Sequence, residues 1–337
     1  MATENAIPRG TRVLVTGATG FTGSLLTRKL ANLGLAVRAI ARPSSNLSIL
    51  DDVAVEWFRG DVFDPAVVQQ AMAGVAHVFH VAAAYREAKH EDEFYRKVHV
   101  ESTKLLAQAA SRQPHFMRFV HVSTVGVHGH IELPPAAEEY PFHPGDIYQR
   151  TKAEAELWIR DYARSNALPL TVIRPAAIYG PGDRRLLKVF RMAAWPVFPI
   201  LGRGRCLYHL VHVDDLTDMI ILAATHPAAL NEVFICGDPE PVTLEYMART
   251  AAAAFGRRIR VARIPVWPFF AAGALCEAVC KPLGIEPPIY RRRVAFFTKD
   301  RAFDTRKVRE RLGYVCKHTT ADGLRQTARW YRERGWA

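Results

Sequence analysis

Short apolar segments alternate with longer amphipathic segments through the first half of the chain. The short segments are rich in β-branched and aromatic residues and predict strands, whereas the longer ones repeat apolar residues at helical spacing. The predicted strands are Arg12–Thr16, Ala36–Ala41, Val53–Arg59, Val75–Val81, Arg118–Ser123 and Leu170–Arg174. The predicted helices are Phe21–Leu33, Pro65–Ala73, Glu91–Arg112 and Tyr148–Asn166. Such alternation is typical of an α/β fold with a doubly wound parallel sheet.

The pattern changes after Arg174. Segments rich in proline and glycine interrupt the alternation at Pro175–Asp183, Trp195–Gly204, Gly237–Pro241 and Pro282–Pro288. Val211–Val213 and Glu232–Cys236 again have strand composition, so we expect the chain to return to the sheet. The expected division is a sheet domain over residues 1–175, to which 208–236 return, and a smaller interleaved substrate lobe formed mainly by 176–337.

Three glycines separate the first predicted strand from the first predicted helix. Gly17 allows a tight turn, Gly20 allows backbone N–H groups to approach a pyrophosphate, and Gly23 allows the helix to pack closely on the sheet. The positive end of the helix then points at the phosphates. This arrangement predicts a Rossmann-type dinucleotide-binding domain. The predicted cofactor contacts in the turn are Gly17, Thr19, Gly20, Phe21, Thr22 and Gly23.

The end of the second predicted strand determines which nicotinamide cofactor is preferred. An Asp or Glu there binds the ribose 2′-hydroxyl of NAD, but residues 37–46 contain no acid. Arg42 occupies the corresponding place, and Ser45 offers a hydroxyl nearby, so we expect NADP(H) to be favoured over NAD(H). The adenosine is expected to contact two further pairs of residues, Asp61 with Val62 and Ala82 with Ala83.

A tyrosine and a lysine lie one helical turn apart in the segment Tyr148-Gln149-Arg150-Thr151-Lys152. A free tyrosine has a pKa near ~10, and a fixed ammonium group one turn away would lower it toward neutral pH. The lysine would also hold the nicotinamide ribose. Ser123 and Thr124 end a predicted strand upstream and offer a hydroxyl to a substrate carbonyl. We therefore predict a catalytic set of Thr124, Tyr148 and Lys152, with Ser123 beside it.

Composition narrows the class of protein. Hydrophobic residues make up 49% of the 337 residues and charged residues 23%, which is typical of an ordinary globular protein and not of a disordered one. The five cysteines have no pairing pattern and no metal-ligand spacing, and the first residues lack the build of a signal peptide, so we expect a cytoplasmic protein without a metal site. The net charge is +12 and is concentrated after Lys281, but no nucleic-acid recognition motif accompanies it.

Several motifs occur in the order seen in extended short-chain dehydrogenases/reductases, which the chain resembles over essentially its whole length. They are T-G-A-T-G-F-T-G, H-V-A-A, V-S-T-V-G-V-H-G, Tyr148-x-x-x-Lys152, R-P-A-A-I-Y-G-P-G-D and L-V-H-V-D-D. The resemblance implies that the catalytic Ser/Thr lies five residues before Gly129, at Thr124. It further implies a homodimer through the helices near Glu91–Arg112 and Tyr148–Asn166. The nicotinamide side would be lined by Pro175, Ala176 and Ile178.

Two departures from that family pattern matter. His99 stands where the family usually has Asn, and its role is either structural or part of an altered water relay. Tyr208 stands where relatives that bind nucleotide sugars usually carry Arg, and Arg205 compensates only in part. A sugar-nucleotide substrate is therefore disfavoured.

Two apolar segments of the second half bear on the substrate, Met192–Gly202 and Ile264–Cys276. They form either the core of the small lobe, the wall of an apolar pocket, or a surface that contacts a membrane peripherally. The second of these segments, together with Arg291–Asp300 and Leu312–Tyr314, resembles the 3β-hydroxysteroid dehydrogenase and sterol dehydrogenase branch, whereas the second strand resembles dihydroflavonol reductases. We therefore expect an NADP(H)-dependent oxidoreductase acting on a hydrophobic, sterol-, steroid- or lipid-like carbonyl or alcohol. The alternatives are a nucleotide-sugar epimerase/dehydratase and a non-catalytic cofactor-binding protein.

Overall fold

Seven parallel strands form the central sheet of the protein, for which a computed structural model describes residues 6–84, 91–280 and 299–337. The strand order is β11-β6-β5-β4-β1-β2-β3, and every neighbouring pair is parallel. The strands of the described chain are β1 Arg12–Thr16, β2 Ala36–Ala41, β3 Val55–Arg59, β4 His77–His80, β5 Arg118–Val122, β6 Leu170–Pro175, β7 Ala177–Tyr179, β8 Val197–Leu201, β9 Leu207–Tyr208, β10 Leu210–His212, β11 Glu232–Cys236, β12 Val242–Thr243 and β13 Arg260–Ile264.

Helices cover both faces of this sheet. The α-helices described are α1 Phe21–Asn32, α2 Pro65–Met72, α3 Asp92–Arg96, α4 Ser102–Ala110, α5 Ile147–Asn166, α6 Leu187–Ala193, α7 Val213–Thr225, α8 Leu244–Ala254, α9 Trp267–Cys280, α10 Arg306–Leu312 and α11 Thr320–Glu333. Alternate residues of β1 point to opposite faces, so Val13 and Val15 pack with α1 and α7 while Leu14 packs with α2, α4 and α5. Because both faces of the sheet are buried, the strand sequences are nearly continuous runs of apolar residues. The predicted doubly wound α/β fold is confirmed.

The small lobe consists of short paired strands around a core of its own. β7 pairs with β10, β9 with β12 and β8 with β13, while α6, α8 and α11 pack together over them. The segment predicted as a strand at Val211–Val213 is observed at Leu210–His212 and pairs with β7, and Val213 begins α7. By contrast, Glu232–Cys236 pairs with β6 at the edge of the central sheet.

One predicted helix is interrupted. The segment Glu91–Arg112 forms α3 and α4, with a π-helical turn at Lys97–Glu101 between them. The hydroxyls of Ser102 and Thr103 donate hydrogen bonds to the carbonyl oxygens of Val98 and His99, at 2.5 and 2.6 Å. These bonds occupy carbonyls of the widened turn. Periodicity alone does not reveal such a turn, which sets the position of His99.

Candidate active site

The predicted site residues converge on one edge of the central sheet, because parallel strands present their carboxyl ends together. Gly17 follows β1, Arg42 follows β2, Ala82 follows β4 and Thr124 follows β5. A side chain at Gly17 would collide with the backbone of Ala82, whose Cα would lie 2.9 Å from the added Cβ. The turns after β1 and β4 therefore touch and form one wall of a crevice at the edge where open α/β sheets bind ligands.

The glycine turn has the geometry that a dinucleotide requires. Gly17 has a φ of 73°, in the left-handed region that favours glycine. A Cβ at Gly23 would lie 2.0 Å from the carbonyl oxygen of Gly17, so only glycine allows α1 to start this close to β1. Gly20 is the N-cap of α1 and has no side chain to cap that terminus. The N–H groups of the first turn are therefore left to bind an anion, and these residues fit a pyrophosphate.

The other cofactor positions lie around this turn. Arg42 is exposed, and its guanidinium makes no hydrogen bond or ion pair within the described part of the chain. The N–H of Ser45 donates to the carbonyl oxygen of Arg42 at 2.9 Å, which turns the chain back beside β2. Half-buried positions in the same region are Thr19, Phe21, Asp61 and Val62; Thr22 and Ala82 are buried, and Ala83 is exposed. At the end of β6, Pro175 and the following Ala176 are buried, and Ile178 is half-buried in β7.

Lys152 is the most constrained member of the predicted catalytic set. Asp146 caps α5 by accepting a hydrogen bond from the N–H of Gln149 at 2.7 Å. One turn later, Lys152 is 2% exposed, and its Nζ donates to the carbonyl oxygen of Val122 at 2.8 Å. Burial lowers the pKa of Lys152 to about 8, although the nearby Glu156 carboxylate opposes this shift. An ammonium group is thereby fixed at the end of β5, on the helix that carries Tyr148.

The hydroxyl groups beside it differ in their environments. The Oγ1 of Thr124 accepts a hydrogen bond from the N–H of Gly126 at 3.0 Å, which leaves the hydroxyl hydrogen to be donated elsewhere. Thr124 is half-buried, whereas Ser123 is buried, and the Ser123 Oγ has no hydrogen-bond partner among the described residues. Thr124 is therefore the better placed of the two to reach a substrate from the crevice.

His99 connects three parts of the site. Its Nε2 accepts a hydrogen bond from the N–H of Ala84 at 3.0 Å, and its Nδ1 lies 2.7 Å from the Oγ1 of Thr151. Because Nε2 accepts, we assign the ring proton to Nδ1, which donates to Thr151. Burial, together with the Lys152 charge, lowers the pKa of His99 to about 2, so the ring is neutral. His99 thus ties the segment after β4 to α5 and has a structural role.

A further buried polar layer lies in the sheet below the crevice. The ring nitrogens of His80 lie 2.8 Å from Thr16 Oγ1 and 3.0 Å from Thr103 Oγ1. Because Thr103 donates its hydroxyl to His99 O, His80 Nε2 donates to Thr103 and its Nδ1 accepts from Thr16. His121 lies opposite His80 on β5, and burial lowers its pKa well below 6.5. Sequence reasoning missed this layer, although the recurrence of His inside two apolar strands was a visible signal.

An ion pair buried in the core holds α5 against β6. Arg174 and Glu156 are both almost fully buried, and Arg174 Nε lies 3.1 Å from each carboxylate oxygen of Glu156. Arg174 also donates to the carbonyl oxygen of Glu138 at 2.6 Å and to Nε2 of His128 at 3.2 Å. Because the pair is fully hydrogen-bonded, it fixes the orientation of the helix that carries Tyr148 and Lys152.

Outside the predicted catalytic set, three side chains of metal-ligand type meet at His212, Asp215 and His318, and their ligand atoms lie within 4.8 Å of one another. Asp215 accepts four hydrogen bonds, from the Tyr314 hydroxyl, the N–H groups of Lys317 and His318, and the Nδ1 of His318. The rings of His212 and His318 overlap, with centroids 3.9 Å apart and planes inclined by 33°. Through the contacts of Asp215, this cluster fastens the C-terminal segment to the start of α7.

Some sequence predictions concern segments beyond this site. Tyr208, at the position of the family arginine, is buried, and Arg301 lies over its ring at 6.0 Å. In the segment Arg291–Asp300, which was compared with sterol dehydrogenases, residues 291–298 lie outside the described residues. The proline-rich segment Pro282–Pro288 also lies outside them. Among the described helices, none combines the length and apolar character needed to cross a bilayer.

Comparison with known proteins gives a consistent result. The model of the NAD dependent epimerase/dehydratase family matches residues 13–237. Sterol demethylase protein B of Methylococcus capsulatus is 39% identical over 178 residues, which cover 51% of this chain and 53% of that protein. The UDP-glucose 4-epimerase of Vibrio cholerae is 26% identical over 324 residues, covering 94% of each. The crystal structure of gox2253 superposes with a TM-score of 0.83 at 27% identity and covers 97% of this chain and 99% of that one.

Proposed function

Because the chain belongs to the NAD-dependent epimerase/dehydratase family, within the extended short-chain dehydrogenases/reductases, we propose that it is an NADP(H)-dependent oxidoreductase that interconverts a carbonyl and an alcohol on a hydrophobic substrate. The single observation that supports this most is the fixed position of Lys152. Its buried ammonium group lies against the carbonyl oxygen of Val122, one helical turn from Tyr148 and beside the turn that begins with Thr124. Such a group stabilises a developing phenolate on the adjacent tyrosine.

The family uses a nicotinamide dinucleotide, and the residues of the crevice fit one. The N–H groups that follow Gly20 would hold the pyrophosphate, and Lys152 would hold the nicotinamide ribose. The guanidinium of Arg42, which has no ion-pair partner among the described residues, supports the phosphorylated cofactor, since a 2′-phosphate would give it a bidentate partner and residues 37–46 contain no acid.

In the proposed reduction, the protein's residues bind and protonate the carbonyl oxygen. The hydroxyl of Thr124 donates a hydrogen bond to that oxygen, while its Oγ1 accepts a hydrogen bond from the N–H of Gly126. Tyr148 donates its phenolic proton to the same oxygen as the alcohol forms, and the positive charge of Lys152 stabilises the phenolate left behind. When bound, the nicotinamide supplies the hydride to the carbonyl carbon. Oxidation of the alcohol reverses the transfer of one proton and one hydride.

The substrate class is proposed from the small lobe. Trp195 and Val197 are 55% and 45% exposed in the apolar segment that leads into β8, so this segment offers apolar surface beyond the core. Tyr208 is a buried aromatic residue where a diphosphate-binding arginine is usual in relatives that use nucleotide sugars. Similarity to a sterol demethylase protein agrees with a hydrophobic, ring-bearing or lipid-like substrate.

The second candidate is a nucleotide-sugar epimerase or dehydratase that uses the same residues. It is favoured by similarity to the Vibrio cholerae UDP-glucose 4-epimerase over 94% of the chain. Such an enzyme needs cations for the substrate diphosphate, and Tyr208 supplies none.

A substrate panel separates the two candidates. We expect the protein to oxidise NADPH in the presence of a 3-ketosteroid or a long-chain β-keto lipid, and UDP-glucose and dTDP-glucose to leave its melting temperature unchanged. Stabilisation by a sugar nucleotide, with interconversion of the sugar and no net oxidation of NADPH, would establish the second candidate instead. Cofactor binding without turnover of any panel member would contradict both.

A further inference from the structure

Helix α9 exposes an apolar stripe. Among the side chains described in this helix, the exposed ones are Trp267, Ala271, Leu275 and Ala278. Their spacing of four, four and three residues places them on one face of the helix. Trp267 is 73% exposed and Leu275 is 67% exposed, so the stripe presents two large apolar groups to the surroundings. Isolated exposed apolar residues are common, but a continuous helical stripe with a tryptophan at its end indicates a contact surface.

A cavity rich in arginine lies beside the start of this helix. It has a volume of about 780 Å³ and is lined by four arginines and one glutamate, with Thr243 and Tyr246 from the start of α8. The arginines are Arg203, Arg205, Arg249 and Arg263. Glu245 forms ion pairs with two of them, with one carboxylate oxygen 2.9 Å from Arg249 and the other 2.7 Å from Arg263. The exposed Arg203 and Arg205 have no ion-pair partner among the described residues, so the cavity has a net positive charge.

The stripe and the cavity adjoin one another. Arg203 and Arg205 lie in the turn that begins at Gly202. The N–H of Gly202 donates a hydrogen bond to the carbonyl oxygen of Ile264, the last residue of β13, at 2.8 Å. A methyl group added at Gly202 would lie 2.8 Å from a methyl of Val266, the residue directly before Trp267. Arg263 Nε also lies 3.4 Å from the carbonyl oxygen of Arg203. The turn that carries Arg203 and Arg205 therefore lies next to the residue that precedes Trp267, the first residue of the apolar stripe.

We propose that the stripe of α9 and the arginine cavity form one face that docks on an anionic phospholipid membrane. Apolar side chains beside uncompensated cations are complementary to such a membrane, in which acyl chains lie directly below phosphate-bearing headgroups. Trp267 and Leu275 enter the headgroup region, and Arg203 and Arg205 contact lipid phosphates. This face uses none of the residues assigned to the cofactor or to proton transfer, so the inference is independent of the proposed function.

Flotation with vesicles tests this face. The full chain is expected to float with vesicles made of equal parts phosphatidylcholine and phosphatidylglycerol, and to stay in solution with phosphatidylcholine alone. Trp267→Ser is expected to lower partitioning about tenfold or more, since burial of a large apolar side chain is lost. Arg203→Glu is expected to lower it about fivefold for each unit of charge, an effect that added salt reduces in the wild type.

Two matched variants control for nonspecific effects. Met117→Ser removes a side chain that is 61% exposed on the sheet domain, and Arg112→Glu reverses an exposed charge there. Both are expected to float like the wild type, and all four variants are expected to keep the wild-type circular dichroism spectrum and NADPH affinity.

Several results would overturn the docking proposal. Three concern flotation: failure of the wild type to float, equal flotation with neutral vesicles, and equal losses in the control variants. A fourth is a dimer in light scattering that depends on Trp267, which would assign the stripe to a second copy of the chain. Binding of pyrophosphate at the cavity without flotation would also overturn it and would assign the arginines to a soluble anion. Failure of the proposed function is distinguishable, because it appears as absent turnover while flotation is unchanged.

Discussion

The ring of His99 meets the ring of Tyr148 edge-on, with centroids 5.3 Å apart and planes at 85°. Edge-to-face contact is a favoured arrangement of aromatic rings. His99 is itself held by the N–H of Ala84 and the hydroxyl of Thr151. The histidine therefore positions the tyrosine from the side, while the buried ion pair of Glu156 and Arg174 holds the helix from below.

Tyr148→Phe tests the assignment of the proton donor. The ring and its contact with His99 are kept and only the hydroxyl is lost, so we expect kcat to fall by about 10²–10⁴-fold with the dissociation constant of NADPH nearly unchanged. Steady-state kinetics and cofactor titration measure the two quantities. Tyr162→Phe, on the same helix, is the matched control and is expected to keep wild-type kcat. Wild-type turnover by Tyr148→Phe would remove the tyrosine from the mechanism.

His99→Leu tests the positioning role. The change leaves the Ala84 N–H and the Thr151 hydroxyl without their buried partner, so we expect the free energy of unfolding to fall by about 2–4 kcal/mol. We also expect kcat to fall while the KM for the substrate changes little, since the tyrosine is displaced. Urea denaturation and kinetics measure both effects.

The exposed His143 supplies the comparison, because His143→Leu removes an imidazole from the surface and should change stability by less than about 0.5 kcal/mol. A His99→Leu protein with wild-type stability and kcat would show that the two hydrogen bonds and the ring contact contribute nothing.

Much of the fold was predictable because its signals are local. The strand and helix of the glycine turn were located to within one residue at each end, since apolar periodicity and three glycines coincide there. The π-helical turn around His99 was not predicted, because it leaves the apolar pattern intact and the hydroxyls of Ser102 and Thr103 that bond to its carbonyls have no distinctive spacing.

The polar interior was less predictable than the crevice. Tyr148 and Lys152 are separated by one helical turn, so their relationship follows from sequence spacing alone. His80 meets Thr16 across the sheet and Thr103 from a helix, and such pairings depend on the strand order β4-β1 and on helix packing. Spacing along the chain does not encode these long-range contacts, which is why the hydrogen bonds of His80 were not predicted.

Gly23→Ala tests the close contact between α1 and β1. The added Cβ would lie 2.0 Å from the carbonyl oxygen of Gly17, and neither atom can rotate away because both positions are fixed by the backbone. We expect the helix to move outward, cofactor affinity to fall by at least about 100-fold, and stability to fall by more than about 3 kcal/mol. Fluorescence titration with NADPH and thermal unfolding measure these effects.

Ser24→Ala is the adjacent control, because the Ser24 hydroxyl makes only a long contact of 3.4 Å with the carbonyl oxygen of Phe21. It is expected to bind cofactor like the wild type. Normal NADPH affinity in Gly23→Ala would mean that the turn does not cradle the pyrophosphate.

Arg42→Asp tests the choice of cofactor. A carboxylate at the end of β2 would repel a 2′-phosphate and accept a hydrogen bond from a ribose 2′-hydroxyl. We expect the ratio of kcat/KM for NADPH over NADH to fall by about 100-fold or more, measured by initial rates with each cofactor. Arg59, the last residue of the neighbouring strand β3, donates a hydrogen bond to the carbonyl oxygen of Pro43. The control Arg59→Asp should change the ratio far less. An unchanged ratio in Arg42→Asp would place the selector elsewhere.

Stability is expected to fall as the pH drops below about 6.5, because buried histidines stay neutral in the folded protein. Burial lowers the pKa to about 4 for His77 and His128, to about 3 for His80 and to about 2 for His99, whereas the unfolded chain protonates them near 6.5. Between these values the unfolded state binds more protons, so the free energy of unfolding decreases with falling pH. Each such histidine adds about 1.4 kcal/mol per pH unit to the slope.

Two buried carboxyls, Asp238 and Glu138, act in the opposite direction, because burial raises the pKa of each. Burial raises the pKa of Asp238 to about 6, so this group favours the folded state when protonated and offsets about one histidine between its ordinary pKa and 6. The sum still favours loss of stability in acid, and urea denaturation on both sides of pH 6.5 measures it. His77→Phe should reduce the slope by one histidine's share, while the exposed His143→Gln should leave it unchanged. A flat profile between pH 7 and 5 would mean that these rings take up protons in the folded state, in conflict with their burial.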